Sequence, residues 1–176
     1  MDGVILRRIK RDDLSKMFDA RNNHAIMKWC RQQTKLHWDH HLDWFKWQKS
    51  DPNTEMFAIV GEDPDSSHPH PIIVGVCGLT DIDRIHRRGE FSLYIFPEHQ
   101  SQGYGKIALQ ELFEIGFGSL NLNIIWGESF EGNPAIKMFK ELGMAKEGVR
   151  REFYYKDGKY VDAILFSIKS REHVVV

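Results

Sequence analysis

The residues best suited to chemistry lie in Gln100-Ser-Gln-Gly-Tyr-Gly-Lys106, which follows the apolar run Phe91-Ser-Leu-Tyr-Ile-Phe96 and precedes an amphipathic stretch. Gly103 and Gly105 remove the Cβ atoms that would hold a ligand off the main chain. Consecutive N–H groups of the loop can therefore converge on an anion at the positive end of a following helix. The chemistry is phosphate binding, and the spelling narrows which phosphate. A P-loop needs Gly-Lys-Ser/Thr, whereas Lys106 is followed by Ile107. A dinucleotide fingerprint tolerates Ala108 in its last place, but it belongs at a first strand with an acidic residue about twenty positions on, where Glu128 is the only nearby candidate. His37 and His41 have i, i+4 spacing, yet no Glu follows His37 and no third ligand lies near, so no metal site is implied.

The elements that must position this loop are legible from pattern. Val4–Ile9 reads as a strand, Asp12 or Asp13 caps a helix to about Ala20, a short helix runs through Trp29, and His37–Lys49 is an amphipathic helix with an aromatic face of Trp38, Trp44, Phe45 and Trp47. Met56–Gly61, Ile72–Leu79 and Gly89–Phe96 form a three-strand meander. Its first connection is the polar, Pro-rich stretch from Glu62 to Pro71 and its second the charged turn Asp81–Arg88. Lys106–Phe117 is a helix, Asn123–Ser129 a strand, and Pro134–Leu142 a helix stopped by Gly143. A hairpin follows, from about Met144 to Tyr155 and from Tyr160 to Ile168, turning at Asp157-Gly158.

Composition bounds the rest. A chain of 176 residues, 41% hydrophobic, fits one domain, residues 1–176, and a formal net charge of -1 gives no reason to expect a nucleic-acid partner. No run has the form of a signal peptide or membrane span, so a cytoplasmic protein without a membrane partner is expected. Cys30 and Cys77 read as buried reduced thiols.

The spacing Gln100-x-x-Gly103-x-Gly105 resembles the acyl-CoA signature Gln/Arg-x-x-Gly-x-Gly/Ala of the GNAT acetyltransferase superfamily. Asn133-Pro-Ala-Ile-Lys-Met-Phe-Lys-Glu-Leu-Gly-Met144 is similar to the superfamily's Asn-x-x-Ala/Ser-x-x-x-Tyr/Phe-x-x-x-Gly-Phe segment, with Ala135 one residue early. The order of elements resembles the GNAT fold over essentially the whole chain. The resemblance implies an α/β protein in α+β style, with a mixed, mostly antiparallel sheet flanked by helices on both faces. It implies acetyl-CoA as co-substrate: the main-chain N–H groups from about Gln102 through Gly103, Tyr104 and Gly105 to Lys106 take the pyrophosphate, Gln100 belongs to the signature, Ile95 and Phe96 pair with the pantetheine amides, Asn133 contributes an amide, and Phe139 packs beside the thiol.

Phe139 departs from the many relatives that carry Tyr there, because phenylalanine has no proton for a departing thiolate. Tyr94, Tyr154, Tyr155 or solvent remain as donors, or the thiolate leaves unaided. Acyl transfer to an amine needs a base for an ammonium of pKa near 10. Glu90 is the leading candidate, sharing a strand face with Ser92, Tyr94 and Phe96, with Asp81, Asp83 and Glu128 as alternatives. Arg84-Ile-His-Arg-Arg88 could meet an anionic substrate or a CoA phosphate, and Arg21–Trp29 with His41–Phe45 lie where acceptor-binding helices sit in the superfamily. The activity implied is N-acetylation of a small-molecule primary amine by direct attack in a ternary complex, with an amino-sugar nucleotide favoured. A ribosomal-protein-type N-terminal acetyltransferase, a silent acyl-CoA-binding module and a nucleotide-binding regulator are the alternatives. A monomer or homodimer is expected.

Overall fold

The computed structural model describes residues 3–32, 34–62 and 70–173. Seven strands form one sheet in the order β1-β2-β3-β4-β5-β7-β6: β1 (Ile5–Arg8), β2 (Glu55–Glu62), β3 (Pro71–Asp83), β4 (Arg88–Ile95), β5 (Ile124–Phe130), β6 (Ala145–Lys156) and β7 (Lys159–Lys169). All neighbours are antiparallel except β4 and β5. Alternation sorts the β2 side chains onto two layers. Phe57 and Ile59 join one core with Leu79, Phe91 and Phe166, while Met56 and Ala58 join another with Leu14, Met17, Phe45 and Phe96.

Helices cover both faces. The first layer carries α4 (Tyr104–Glu114), continued by a wider π turn over Ile115–Ser119, and α5 (Ala135–Glu141); the second carries α1 (Leu14–Arg21), α2 (His24–Met27) and α3 (Trp38–Ser50). Leu109, Leu112 and Phe113 of α4 are wholly buried, each contributing about 1.5–3 kcal/mol. After α5, Gly143 takes φ +80° and the Met144 N–H returns to the Phe139 carbonyl, the left-handed stop that the glycine implied. The β6–β7 turn likewise uses positive φ at Asp157 (50°) and Gly158 (81°), as an Asp-Gly hairpin requires.

The aromatic face expected of α3 is narrower in the structure. Its buried residues are His41, Phe45 and Gln48, whereas Trp38 and Trp47 are 41% and 52% exposed. Trp47 lies two positions beyond Phe45, about 200° around the helix, and cannot share its stripe. Most of the Pro-rich connection before β3 falls outside the described residues. No described helix is long and apolar enough to cross a membrane.

The feature that positions the site is a split in the sheet. β4 pairs with β5 only at Arg88, Gly89 and Glu90, opposite Ile124, Ile125 and Trp126. Beyond that point β4 runs on to Ile95 and β5 to Phe130 without pairing. The Phe91 ring fills the start of the opening: a Cβ on Gly127 would lie 2.4 Å from it, so only glycine fits there.

Candidate active site

The opening is the floor of a cleft of about 840 Å³ with two distinct ends. One end is bounded by β4, the glycine loop and α5. Here Gly103 has φ +85° and starts α4 with no side-chain cap. The Lys106 and Ile107 N–H groups turn back to the Gly103 carbonyl, whereas the N–H groups of Gly103, Tyr104 and Gly105 meet no backbone acceptor among the described residues. These are the orphan donors of a first helical turn, aimed at the cleft end. Tyr104 anchors that turn by packing on Gly61 and donating its hydroxyl to the Glu62 carbonyl at 3.1 Å. A Cβ on Gly105 would come within 3.3 Å of Met138 Sδ and 3.5 Å of Leu93 and Ile95 side chains, so the glycine keeps a channel between β4 and α5.

The main chain of β4 supplies more polar groups. The Phe96 N–H is spent on the Val74 carbonyl, so alternation turns the N–H and C=O groups of Leu93 and Ile95 away from β3 and toward the opening. This corrects the expectation for Phe96, whose side chain is 1% exposed in the opposite layer and does not line the cleft. Ile95 lines it, and its carbonyl accepts from Gln100 Nε2 at 3.1 Å, which ties the loop to the strand end. Gln102 also lies outside the lining, its side chain donating to the Glu98 carbonyl. Lys106 lines the rim and pairs with Glu141 of α5 at 3.3 Å. Asn133 Oδ1 accepts the Ala135 N–H at 3.0 Å, opening α5. Phe139 stands edge-on to Phe91 and Phe166, with centroids 5.2 and 5.5 Å away.

The other end is bounded by α1, α2 and the connection to α3. Glu90 and Glu128, on the two strands that part, have side chains only 7% and 4% exposed. Arg31 bridges them: Nη2 contacts Glu90 Oε1 and Nε lies 2.8 Å from Glu128 Oε1. Burial works against the Arg31 charge, but its hydrogen bond to Glu90 and the charges of Glu90 and Glu128 hold its pKa above the ordinary arginine value. Glu128 is further committed to Arg150 Nη1 at 3.0 Å and to the Tyr154 hydroxyl. Glu90 Oε2 makes no hydrogen bond among the described residues, which leaves Glu90 the carboxylate with an open oxygen. Tyr94, partly buried in the cleft wall, has its pKa pushed up by burial against the opposing charge of Arg21, so its phenol keeps its proton.

The other candidates lie elsewhere. Asp83 accepts the Ile85 and His86 N–H groups in an exposed turn, and Asp81 does not line the cleft. Tyr155 is 58% exposed against Tyr160, and Tyr154 is occupied by Glu128. The arginines before β4 do not reach the cleft: Arg84 donates to the Pro52 carbonyl, Arg87 holds Asn121, and Arg88 faces Asp83. That turn sits at the start of β4, a full strand from the glycine loop. His41 is buried and stacked on Trp44, while Cys30 is only partly buried and lines the cleft. Sequence reasoning missed Arg31, the supporting Arg150 and Lys156 that hold lining residues from outside the cleft, and Ser129. Only the distant partners of the first three reveal them; Ser129 is marked by its strand parity at the split.

The residues present fit an extended acyl-CoA. Unsatisfied main-chain donors, a channel that a Cβ would narrow, and a buried Ser129 hydroxyl without a partner all face one cleft. Comparisons with known proteins agree. Residues 4–145 match the model of the Acetyltransferase (GNAT) domain. The chain is 28% identical to spermidine N(1)-acetyltransferase of Vibrio cholerae over 90% of its length and 88% of the relative's. It is 32% identical to the N-acetyltransferase p20 of Bacillus licheniformis over 66% of its length, a match spanning 63% of that relative. The crystal structure of the Vibrio cholerae spermidine N-acetyltransferase in complex with CoA and spermine superposes with a TM-score of 0.88 at 26% identity, covering 98% of both chains. A seven-strand sheet split beside a glycine-loop helix, with these likenesses, establishes that the chain belongs to the GNAT acetyltransferase family and is an N-acetyltransferase.

Proposed function

We propose that this protein transfers the acetyl group of acetyl-CoA to a primary amine of a small molecule by direct attack in a ternary complex. The observation that carries this reading is the opening between β4 and β5. Main-chain donors and an apolar channel approach it from one side, and the buried Glu90 carboxylate with its open Oε2 approaches from the other. Bound acetyl-CoA supplies an activated thioester, and the chain supplies position, water exclusion and a proton acceptor.

The N–H groups of Gly103, Tyr104 and Gly105 hold phosphate oxygens, while Leu93 and Ile95 offer main-chain groups to the arm of the cofactor. Phe91 and Phe139 wall off the reacting end from water. Glu90 takes the ammonium proton at Oε2, directly or through one water, because an amine attacks only with its lone pair free. Glu128 is not the base in this reading, since Arg31, Arg150 and Tyr154 already occupy both its oxygens. Tyr94 keeps a phenolic proton in the cleft, and Phe139 has none to offer.

The likeness to a spermidine acetyltransferase crystallised with CoA and spermine makes polyamines the first acceptors to try, beside amino-sugar nucleotides and a peptide N-terminus. The test is calorimetry with acetyl-CoA followed by CoA release across that panel. Tight acetyl-CoA binding with amine-dependent release is expected. Binding without release from any amine would identify a silent acyl-CoA module, and heat with ATP or NAD but none with acetyl-CoA would overturn the cofactor.

A further inference from the structure

The acceptor end of the cleft is lined by Arg21 and Arg31 beside Glu90 and Glu128, and two further cations, Arg150 and Lys156, touch that lining from outside it. Glu90 and Glu128 are matched by Arg31 and Arg150. Arg21, at the end of α1, is not matched. Its guanidinium lies 5.5 Å from the Tyr94 ring centroid, Nη2 donates to Gln32 Oε1 at 3.0 Å, and Nε is buried with no hydrogen-bond partner. No carboxylate pairs with it among the described residues. Lys156 of β6, 6% exposed, is one of the two outer cations: its ammonium donates to the Cys30 and Gln32 carbonyls at 2.9 and 3.0 Å and meets no carboxylate among the described residues. His41 on α3 adds no further cation, since burial and then Arg21 push its pKa down and leave it neutral, against the Leu14 backbone hydrogen bond.

A partly buried guanidinium with an orphaned N–H and no counter-ion is a group prepared for an anion. Its place is defined by the strand beneath it. Glu90 and Tyr94 lie on one face of β4, four residues or about 13 Å apart. An acceptor whose amine meets Glu90 therefore has room to extend along β4 to Arg21. A polycation extended the same way would bring its second ammonium to the Arg21 guanidinium, a like-charge contact that specificity is built to avoid.

We propose that the acceptor is a primary amine that also carries an anionic group, a carboxylate or a phosphate, received by Arg21 while the amine meets Glu90. This rests on the acetyl-transfer reading above and names the class of molecule it acts on. Arg31 stays bound to the two carboxylates and shapes the space between these poles.

The experiment compares acceptors in pairs that differ in the far group, 8-aminooctanoate against 8-aminooctan-1-ol and glucosamine 6-phosphate against glucosamine, with spermidine beside them. CoA release gives kcat and KM, and calorimetry on the protein–CoA complex gives acceptor affinity independently of turnover. The carboxylate or phosphate amine should exceed its neutral counterpart at least about tenfold in kcat/KM, chiefly through KM, and the two anionic arms decide between carboxylate and phosphate. Arg21→Met should cost the anionic amine at least about tenfold more than the neutral one, with Arg21→Lys in between. Spermidine as the best acceptor, or an equal loss for all amines in Arg21→Met, would overturn the proposal. Should no amine be acetylated, calorimetric binding of an anionic amine would still sustain the Arg21 site while the acetyl-transfer reading falls. Absence of that binding would end the proposal.

Discussion

The two ends of the cleft are made of different material. At the cofactor end the polar work falls to the main chain: helix N–H groups behind Gly103 and the outward-facing groups of Leu93 and Ile95, with aromatic and aliphatic side chains around them. At the acceptor end it falls to side chains, Glu90 and Glu128 with Arg21, Arg31, Arg150 and Lys156, gathered from α1, the connection after α2, both parted strands and β6. The contrast shows how one fold can keep a single cofactor and change its acceptor. Main-chain donors are indifferent to most substitutions, whereas each charged side chain can be exchanged singly.

If that contrast is real, the ends should fail separately. The largest effect belongs to Gly105→Glu, which narrows the channel beside Met138 and sets a carboxylate near the phosphate donors. Acetyl-CoA affinity should fall at least about 100-fold by calorimetry, and undiminished affinity would break the comparison at its cofactor end. Glu90→Gln should leave acetyl-CoA affinity intact while lowering kcat by about 10²–10³-fold; wild-type turnover at every pH would remove Glu90 as base. Lys156→Met releases the two carbonyls that fix the connection bearing Arg31. The amine KM should rise about tenfold with acetyl-CoA binding unmoved, and a matching loss of acetyl-CoA affinity would show that the ends are coupled.

The smallest effect on activity should come from Asp13→Asn, which tests the footing of the acceptor layer. Arg7 holds the Asp13 carboxylate through both oxygens at 2.7 and 2.8 Å just before α1, whose last residue is Arg21. Burial alone would raise the Asp13 pKa, but the hydrogen bonds from Arg7 and the Lys10 N–H outweigh it and hold the carboxyl below its ordinary value. A depressed folded-state pKa means stabilisation that is complete above the unfolded value near about 4 and lost as pH falls through the folded one. Urea unfolding at pH 7 should show Asp13→Asn about 1–2 kcal/mol less stable, with the gap closing in acid. A gap that persists below the folded pKa would assign the loss to packing.

Legibility followed the same division. The glycine loop, the strand before it, the helix after it and the Asn133–Met144 segment were readable, because each depends on residues adjacent in sequence: φ above zero at Gly103 and Gly143, an Asx cap at Asn133, alternation along β4. Alternation also placed Glu90 and Tyr94 on one face. The resemblance offered Phe96 as a cofactor residue, and the fold turns its N–H elsewhere, because which strand edge is free depends on the partner strand, here Val74 of β3. The arginines of the β3–β4 turn, where an anion was one alternative to a solvated loop, stay away from the cleft. Charge in a loop says nothing about which end of a strand the loop occupies in space.

By itself the sequence determined the order strand, glycine loop, helix and the resemblance to the acetyltransferase family, since glycine placement and apolar period act over a few residues and need no distant partner; the parting of β4 from β5 came only with the fold. Only the tertiary structure decided what faces the amine. Arg31 meets Glu90 across 59 residues of chain, and Lys156 reaches the Gln32 carbonyl across 124. No local pattern encodes such contacts. Buried charges must be balanced wherever the fold brings them together, and here that balance leaves Arg21 without a carboxylate among the described residues.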